Sequence, residues 1–150
     1  MNELYVLTNT TCTHSEYSDE PYGDWSADYD FDVNGVSLEK PNSSYEQFQT
    51  CFDVQNGDTV YVLSMIYSTG DSFGRSSGNG EALWVFKDFE VAKKAAQAIK
   101  DQEDKYSVSF LNENGEKATM SNPGSGYFEC VEDIRLESFI IGQGLRMSFK

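Results

Sequence analysis

The stretch Leu83–Asp104, LWVFKDFEVAKKAAQAIKDQED, decides how the chain is read. Its first four residues form the continuous apolar and aromatic run of a buried strand. Asp88 follows after one residue and is a good helix N-cap. Phe89, Ala92, Ala96 and Ile99 then fall at i, i+3, i+7 and i+10, which places them on one helical face, and Val91 and Ala95 widen it. Glu90 near the start and Lys100 near the end complement the helix dipole. The small alanines let such a helix lie close against a sheet. The predicted fold is α+β: a mostly antiparallel sheet with one main helix, about 88–102, packed on one face. YSVSFL (106–111) is the expected returning strand of a strand–helix–strand unit.

Working outward toward the C-terminus, KYSVSFL, the turn NENG and EKATM predict a hairpin over 105–120. SNPGSG (121–126) is a second turn cluster. In YFECVEDIRLESFII (127–141), Phe128, Cys130, Ile134, Leu136 and Ile140 keep one period-two register, which Glu132 and Ser138 interrupt. The acidic pair Glu132–Asp133 predicts a bulge or corner. Phe139 and Ile141 make the end of this strand apolar on both faces. GQG then turns the chain into a last strand, LRMSF (145–149).

Toward the N-terminus, DYDFDVNGVSL (28–38) is the cleanest local signal. Tyr29, Phe31 and Val33 alternate with Asp28, Asp30 and Asp32, so one sheet face is apolar and the other carries three carboxylates. Asn34-Gly35 reads as a two-residue hairpin turn, and Asn56-Gly57 is a second turn signal. Ser44 and Gln47 suit a capping box, which predicts a short helix over 44–49. A strand through Phe52 and Val54 should follow. Tyr5-Val6-Leu7 is a short β run, and the aperiodic NTTCTHSEYSDEPYGDWS (9–26) reads as a long loop. Its Tyr17, Tyr22 and Trp25 suggest that it packs on the body. YSTGDSFGRSSGNGE (67–81) reads as a strand end and a hairpin-like excursion.

The 150 residues fit one domain. At that size folding removes roughly 70% of the unfolded chain's surface from water, so neither metal nor disulfide is needed for stability. No apolar run approaches the roughly 20 residues of a membrane span, and no secretory signal is expected. Three widely spaced cysteines, Cys12, Cys51 and Cys130, point to a reducing compartment and to small buried hydrophobes. The net charge is −14. Through Phe86 there are 14 acids against Lys40 and Arg75, a net of −12; beyond it 11 acids face nine bases, a net of −2. Direct nucleic-acid binding is disfavoured, because phosphate contacts need Lys and Arg. Such a field steers basic partners toward the N-terminal part.

Catalytic motifs are largely excluded. Asp30, Asp32, Asn34 and Gly35 match half of an EF-hand loop, but its twelfth position, where a bidentate acid is required, is Pro41. Gly70-Asp71-Ser72 would need a base, and His14 is the one histidine of the chain. Cys12 and His14 would share a strand face, yet no cation stands nearby in sequence to lower the thiol pKa. A Cys₃His zinc set lacks paired close ligands. Anion binding by 67–81 would use backbone N–H groups with Ser68, Thr69, Ser72 and Arg75, although no phosphate-loop spacing is present.

YVLTNTTCTHSEYSDEPYGDW (5–25) followed by YVLSMIYSTGDSFGRSSGNGEALWVFKD (61–88) resembles small acidic accessory proteins of unknown function from large tailed phages of enterobacteria. The resemblance covers roughly residues 1–100, and YSTGDSFG is its most specific piece. It implies a protein of the infected host's cytoplasm that acts by binding a host factor, and it supplies no catalytic residues. Two functions are therefore expected to compete. The first is a non-enzymatic protein that binds and modulates a host protein, with a DNA-mimic-like variant. It would use Tyr17, Tyr22, Trp25, Ser68, Thr69, Asp71, Ser72, Phe73 and Arg75, with Asp28, Asp30 and Asp32 as an acidic face. The second is a small-molecule or anion binder, or an enzyme, built on 67–81. No cofactor, metal, membrane or nucleic acid is expected, and the state is a monomer or small homo-oligomer.

Overall fold

A computed structural model describes residues 3–17, 25–70, 74–125 and 129–142. Eight strands and one helix follow in the order β1 (Glu3–Tyr17), β2 (Trp25–Ser37), β3 (Tyr45–Gln49), β4 (Thr59–Gly70), β5 (Gly74–Phe86), α1 (Phe89–Lys100), β6 (Ser107–Leu111), β7 (Lys117–Ser121) and β8 (Cys130–Ile140). Six strands form one sheet in the order β3-β1-β2-β5-β4-β8, and β6-β7 form a separate two-stranded sheet. The main sheet is mixed. β2 and β5 run parallel over Trp25–Asp28 and Gly74–Ser77, whereas the other pairings are antiparallel.

The apolar residues divide into two cores, which define three layers. Leu4 and Val6 of β1 and Phe31, Val33 and Val36 of β2 pack against Val60, Val62 and Ile66 of β4, Ala82 and Val85 of β5, and Ile141. The sheet therefore folds over, so that its β3-β1-β2 part faces its β5-β4-β8 part. The opposite face of β4 and β5 presents Leu63, Met65, Leu83 and Phe86 to Ala92, Ala95 and Ile99 of α1 and to Val108 and Phe110 of β6. β4 is the central strand, with Val60 and Val62–Ile66 all buried. This is why VYVLSMI lacks the alternation of a one-sided strand.

Local chemistry sets the joints. Asp88 caps α1, its carboxylate accepting the N–H groups of Glu90 (2.9 Å) and Val91 (3.3 Å). Gln102 clamps the far end: its amide donates to the carbonyls of Ala98 and Ser109, and its oxygen accepts the Ser109 N–H. Buried Asn122 donates to the carbonyls of Glu103 and Lys105 and ties the β7 exit to the helix exit. Glu132 is the extra residue of a bulge, because Ile66 faces Asp133 while Tyr67 faces Val131. The bulge lies where the acidic pair predicted it. The later part of β8 is two-sided as expected, with Ile134 and Leu136 on the helix side and Phe139 on the other.

Several local expectations are corrected. Residues 44–49 form no helix; Tyr45–Gln49 is strand β3, paired antiparallel to Glu3–Leu7 of β1. Six residues with one capping box do not offset helix nucleation, whereas β1 offers a ladder. Asn34-Gly35 is no turn: both lie within β2, and Asn34 is the extra residue of a bulge between the Leu7–Gly35 and Thr8–Val33 pairs. Phe52 and Val54 lie in irregular chain that leads to the Gln55–Asp58 turn, where Gly57 has φ +96°. β6 does not return to the sheet of β5; it pairs with β7, and α1 connects two sheets. The expected loop 9–26 is mostly strand, because β1 runs to Tyr17 and β2 starts at Trp25. The expected last strand, 145–149, lies outside the described residues. Among the described residues no helix is long and apolar enough to cross a membrane.

Candidate interaction site

Beyond Leu7, β1 leaves β3 and keeps β2 as its sole strand partner among the described residues, from Thr8 to the Tyr17–Trp25 pair. The result is an arm that is two-stranded over Thr8–Cys12 and flanked by β5 at its end, where Trp25–Asp28 pair with both β1 and Gly74–Ser77. Residues Asn9–Glu16 are all exposed, and the outer edge of β1 is unpaired along them. The alternation read in 28–33 is real: Asp28, Asp30 and Asp32 are exposed, whereas Phe31 and Val33 are buried. A Cβ on Gly74 would collide with the Trp25 indole, so that ring lies directly on the β5 backbone while staying 41% exposed.

The parallel pairing of β2 with β5 brings two distant stretches of sequence together. The β1–β2 arm end, Tyr17 and Trp25, and the β4–β5 hairpin end, Gly70 and Gly74, come to the same end of the sheet. Arg75 is exposed there, opposite Ser26 and Gly70. Ser68 and Thr69 lie on β4 beside β8, where Ser68 donates to the Cys130 carbonyl and Thr69 to the Glu129 carboxylate (2.9 Å). Tyr22, Asp71, Ser72 and Phe73 lie outside the described residues.

The glycine- and serine-rich segment is strand rather than cradle. A shallow cavity of about 280 Å³ does sit there, lined by Ser26, Asp28, Arg75 and Glu132 among others. The protein's own carboxylates take one donor of its lining and one beside it. Glu132, turned by its bulge, accepts the Gly78 N–H at 2.8 Å, and Asp28 accepts the Ser77 hydroxyl at 2.9 Å. An anion would meet two fixed negative charges beside a single guanidinium.

The nucleophile arrangements do not assemble either. The Cys12 thiol donates to the His14 carbonyl rather than facing the imidazole, because Thr13 is the extra residue of a bulge. His14 instead meets Glu16 at 3.6 Å. Cys12 and Cys130 are exposed and Cys51 is half-buried, which corrects the expectation of buried cysteines; the first two sit on strand faces that nothing described covers.

Three half-buried acids were not singled out by sequence, since nothing marks Glu46, Glu81 or Glu137 among 25 acids. Burial raises the pKa of all three. The Ala82 N–H, 2.9 Å from Glu46, partly opposes its shift, and Glu81 adds to it. Asp32 adds to the shift of Glu137 and Arg135 opposes it. Arg135 itself donates to the Phe31 carbonyl at 2.8 Å and bridges the two parts of the sheet. A carboxyl whose folded pKa is raised holds its proton more tightly when folded. Its favourable contribution is complete below the ordinary glutamate range and is lost as pH rises through the raised pKa. The contribution of these groups to the urea midpoint should therefore be larger near pH 4, below the ordinary glutamate range, than at pH 7.5, read as the difference between the wild type and a variant that lacks them. Glu46→Gln with Glu137→Gln removes two of the three; a difference from the wild type that is the same at both pH values would assign the pH dependence elsewhere.

A second cavity, about 510 Å³, opens between α1 and the β6–β7 hairpin and was also not anticipated. Compared with family models, curated proteins and solved structures, the chain finds no match.

Proposed function

We propose that this chain is a non-enzymatic binding protein whose acidic β1–β2 arm engages a basic surface of a host protein. The observation that carries the reading is the arm itself. It holds a strand edge unpaired among the described residues, exposed Trp25, and three exposed carboxylates on one face of β2. An unpaired edge offers main-chain hydrogen bonds to an extended segment of a partner, an aromatic anchor adds contact energy, and carboxylates set the sign of the partner. The N-terminal part, with a net of −12 through Phe86, extends that field beyond the arm. The site works in the cytoplasm of the infected cell, as the phage resemblance implies.

The carboxylates stand about 6.6 Å apart along β2, near the phosphate spacing of one nucleic-acid strand. A host DNA-binding protein is therefore the favoured kind of partner. The test is comparative capture from host lysate at graded salt, with the wild-type chain and Asp30→Lys/Asp32→Lys side by side. A partner should be held by the wild type, weaken steeply with salt, and bind the variant at least about tenfold less tightly. A partner held equally by both proteins, or one insensitive to salt, would refute the acidic arm. The anionic-ligand reading of 67–81 is disfavoured by the two carboxylates at that site, Glu132 and Asp28, which accept the Gly78 N–H and the Ser77 hydroxyl.

A further inference from the structure

The cavity beside α1 differs in character from the arm. Ala95 and Ala98 form its helix wall, and Phe110 and Leu111 form its floor on β6. The small alanines open space that larger residues would fill, and Leu111 remains 59% exposed at its margin. At about 510 Å³ the cavity is of a size that takes a small molecule.

Its mouth is positive in an acidic protein. Lys94 and Lys117 line it from opposite walls, both exposed, and neither meets a described carboxylate within ion-pair distance. The neighbouring Lys93, by contrast, is engaged with Glu90 and with the Phe89 ring. The one acid of the lining, Glu113, has its charge committed. It accepts the backbone N–H groups of Lys87 (2.6 Å) and Asp88 (3.1 Å) at the start of α1, and its second oxygen faces the Cys51 thiol. The cavity thus joins an apolar floor to two uncommitted ammonium groups.

We infer that the α1/β6–β7 cavity binds a small amphipathic carboxylate, its apolar body against Ala95, Ala98 and Phe110 and its carboxylate between Lys94 and Lys117. Burial of the apolar body drives binding, and the ammonium groups select the anionic head by charge-assisted hydrogen bonds. The position is independent of the arm, so the host-binding reading and this one stand or fall separately.

The experiment is a titration of the full chain with octanoate, followed by backbone amide shifts, with 1-octanol as the uncharged probe of equal length. Saturable shifts are expected at Ala95, Ala98, Phe110 and Leu111 with octanoate, and much weaker ones with 1-octanol. Lys94→Gln/Lys117→Gln, both at exposed positions, should weaken octanoate about tenfold and leave 1-octanol unchanged. Ala98→Leu should block both by filling the cavity. The inference is overturned by an absence of saturable shifts at these residues, by equal binding of octanoate and 1-octanol, or by a lysine double variant that binds octanoate like the wild type.

Discussion

Gly78→Ala is expected to destabilise the protein by about 3 kcal/mol or more, the range of strained-backbone and overpacking substitutions. Two causes act together. Gly78 has φ +79°, a conformation that costs any L-residue. Its added Cβ would also run into the Tyr29 carbonyl oxygen, which belongs to the β2 backbone and has no rotamer to change. Relief requires β2 to move away from β5. These strands pair over four residues, Trp25–Asp28 with Gly74–Ser77, and among the described residues that pairing alone joins the two parts of the main sheet by strand hydrogen bonds. A urea midpoint lower by about 1–2 M is the expected result, with amide protection lost first around β2 and β5. Gly57→Ala provides the comparison. It shares a positive φ of +96° but meets nothing within 4 Å, so only its conformational cost of about 1–2 kcal/mol should appear. Equal effects at the two glycines would show that the contact with Tyr29 contributes nothing.

Phe86→Ala should cost about 3–5 kcal/mol through the cavity it leaves. Phe86 ends β5, is fully buried, and meets Phe110 edge-on with ring centroids 5.7 Å apart. It sits where β5, α1 and β6 converge, so no single element can move in to fill the space. Phe89, three residues on, is 44% exposed; Phe89→Ala should lose under about 1 kcal/mol, its contact with Tyr61 at 5.3 Å included. Chemical denaturation of the two variants separates them. A comparable loss at both positions would mean that the two-layer contact around Phe86 is not what holds α1 to the sheet.

The helix was legible because three signals coincided at Asp88–Lys100: a cap, an apolar stripe and the correct charge at each end, although of the stripe Ala92, Ala95 and Ile99 are buried and Phe89 is exposed. The alternation of β2 and the bulge at Glu132 were legible for the same reason, since each is written in the order of neighbouring residues. The arm was not. Residues 9–16 carry no apolar alternation, because β1 is exposed on both faces there and its burial selects no hydrophobic residues, whereas its partner β2 buries Ala27, Phe31 and Val33. The glycine- and serine-rich start of β5 was obscured in another way. Its small residues answer to neighbours far away in sequence, Gly74 to Trp25 and Gly78 to Tyr29, and their reason is visible only across the β2–β5 pairing. The α1/β6–β7 cavity was hidden likewise: Lys94 and Lys117 look like ordinary surface lysines until the hairpin folds beside the helix.

The folded-over sheet also bears on the nascent chain. Leu4, Val6, Phe31, Val33 and Val36 are made first, but the residues buried with them run on from Val54 to Ile141. At about 5–20 residues per second, the roughly hundred residues from Val36 to Ile141 take some 5–20 s to emerge. Through that interval the β1–β2 hairpin displays an apolar face and an open edge to every other unfinished chain nearby. Asp28, Asp30 and Asp32 alternate with its most adhesive residues and act as gatekeepers, since two such hairpins repel each other before they can pair. The same carboxylates that the proposed reading assigns to partner choice would also protect the hairpin while the rest of the protein is still being made.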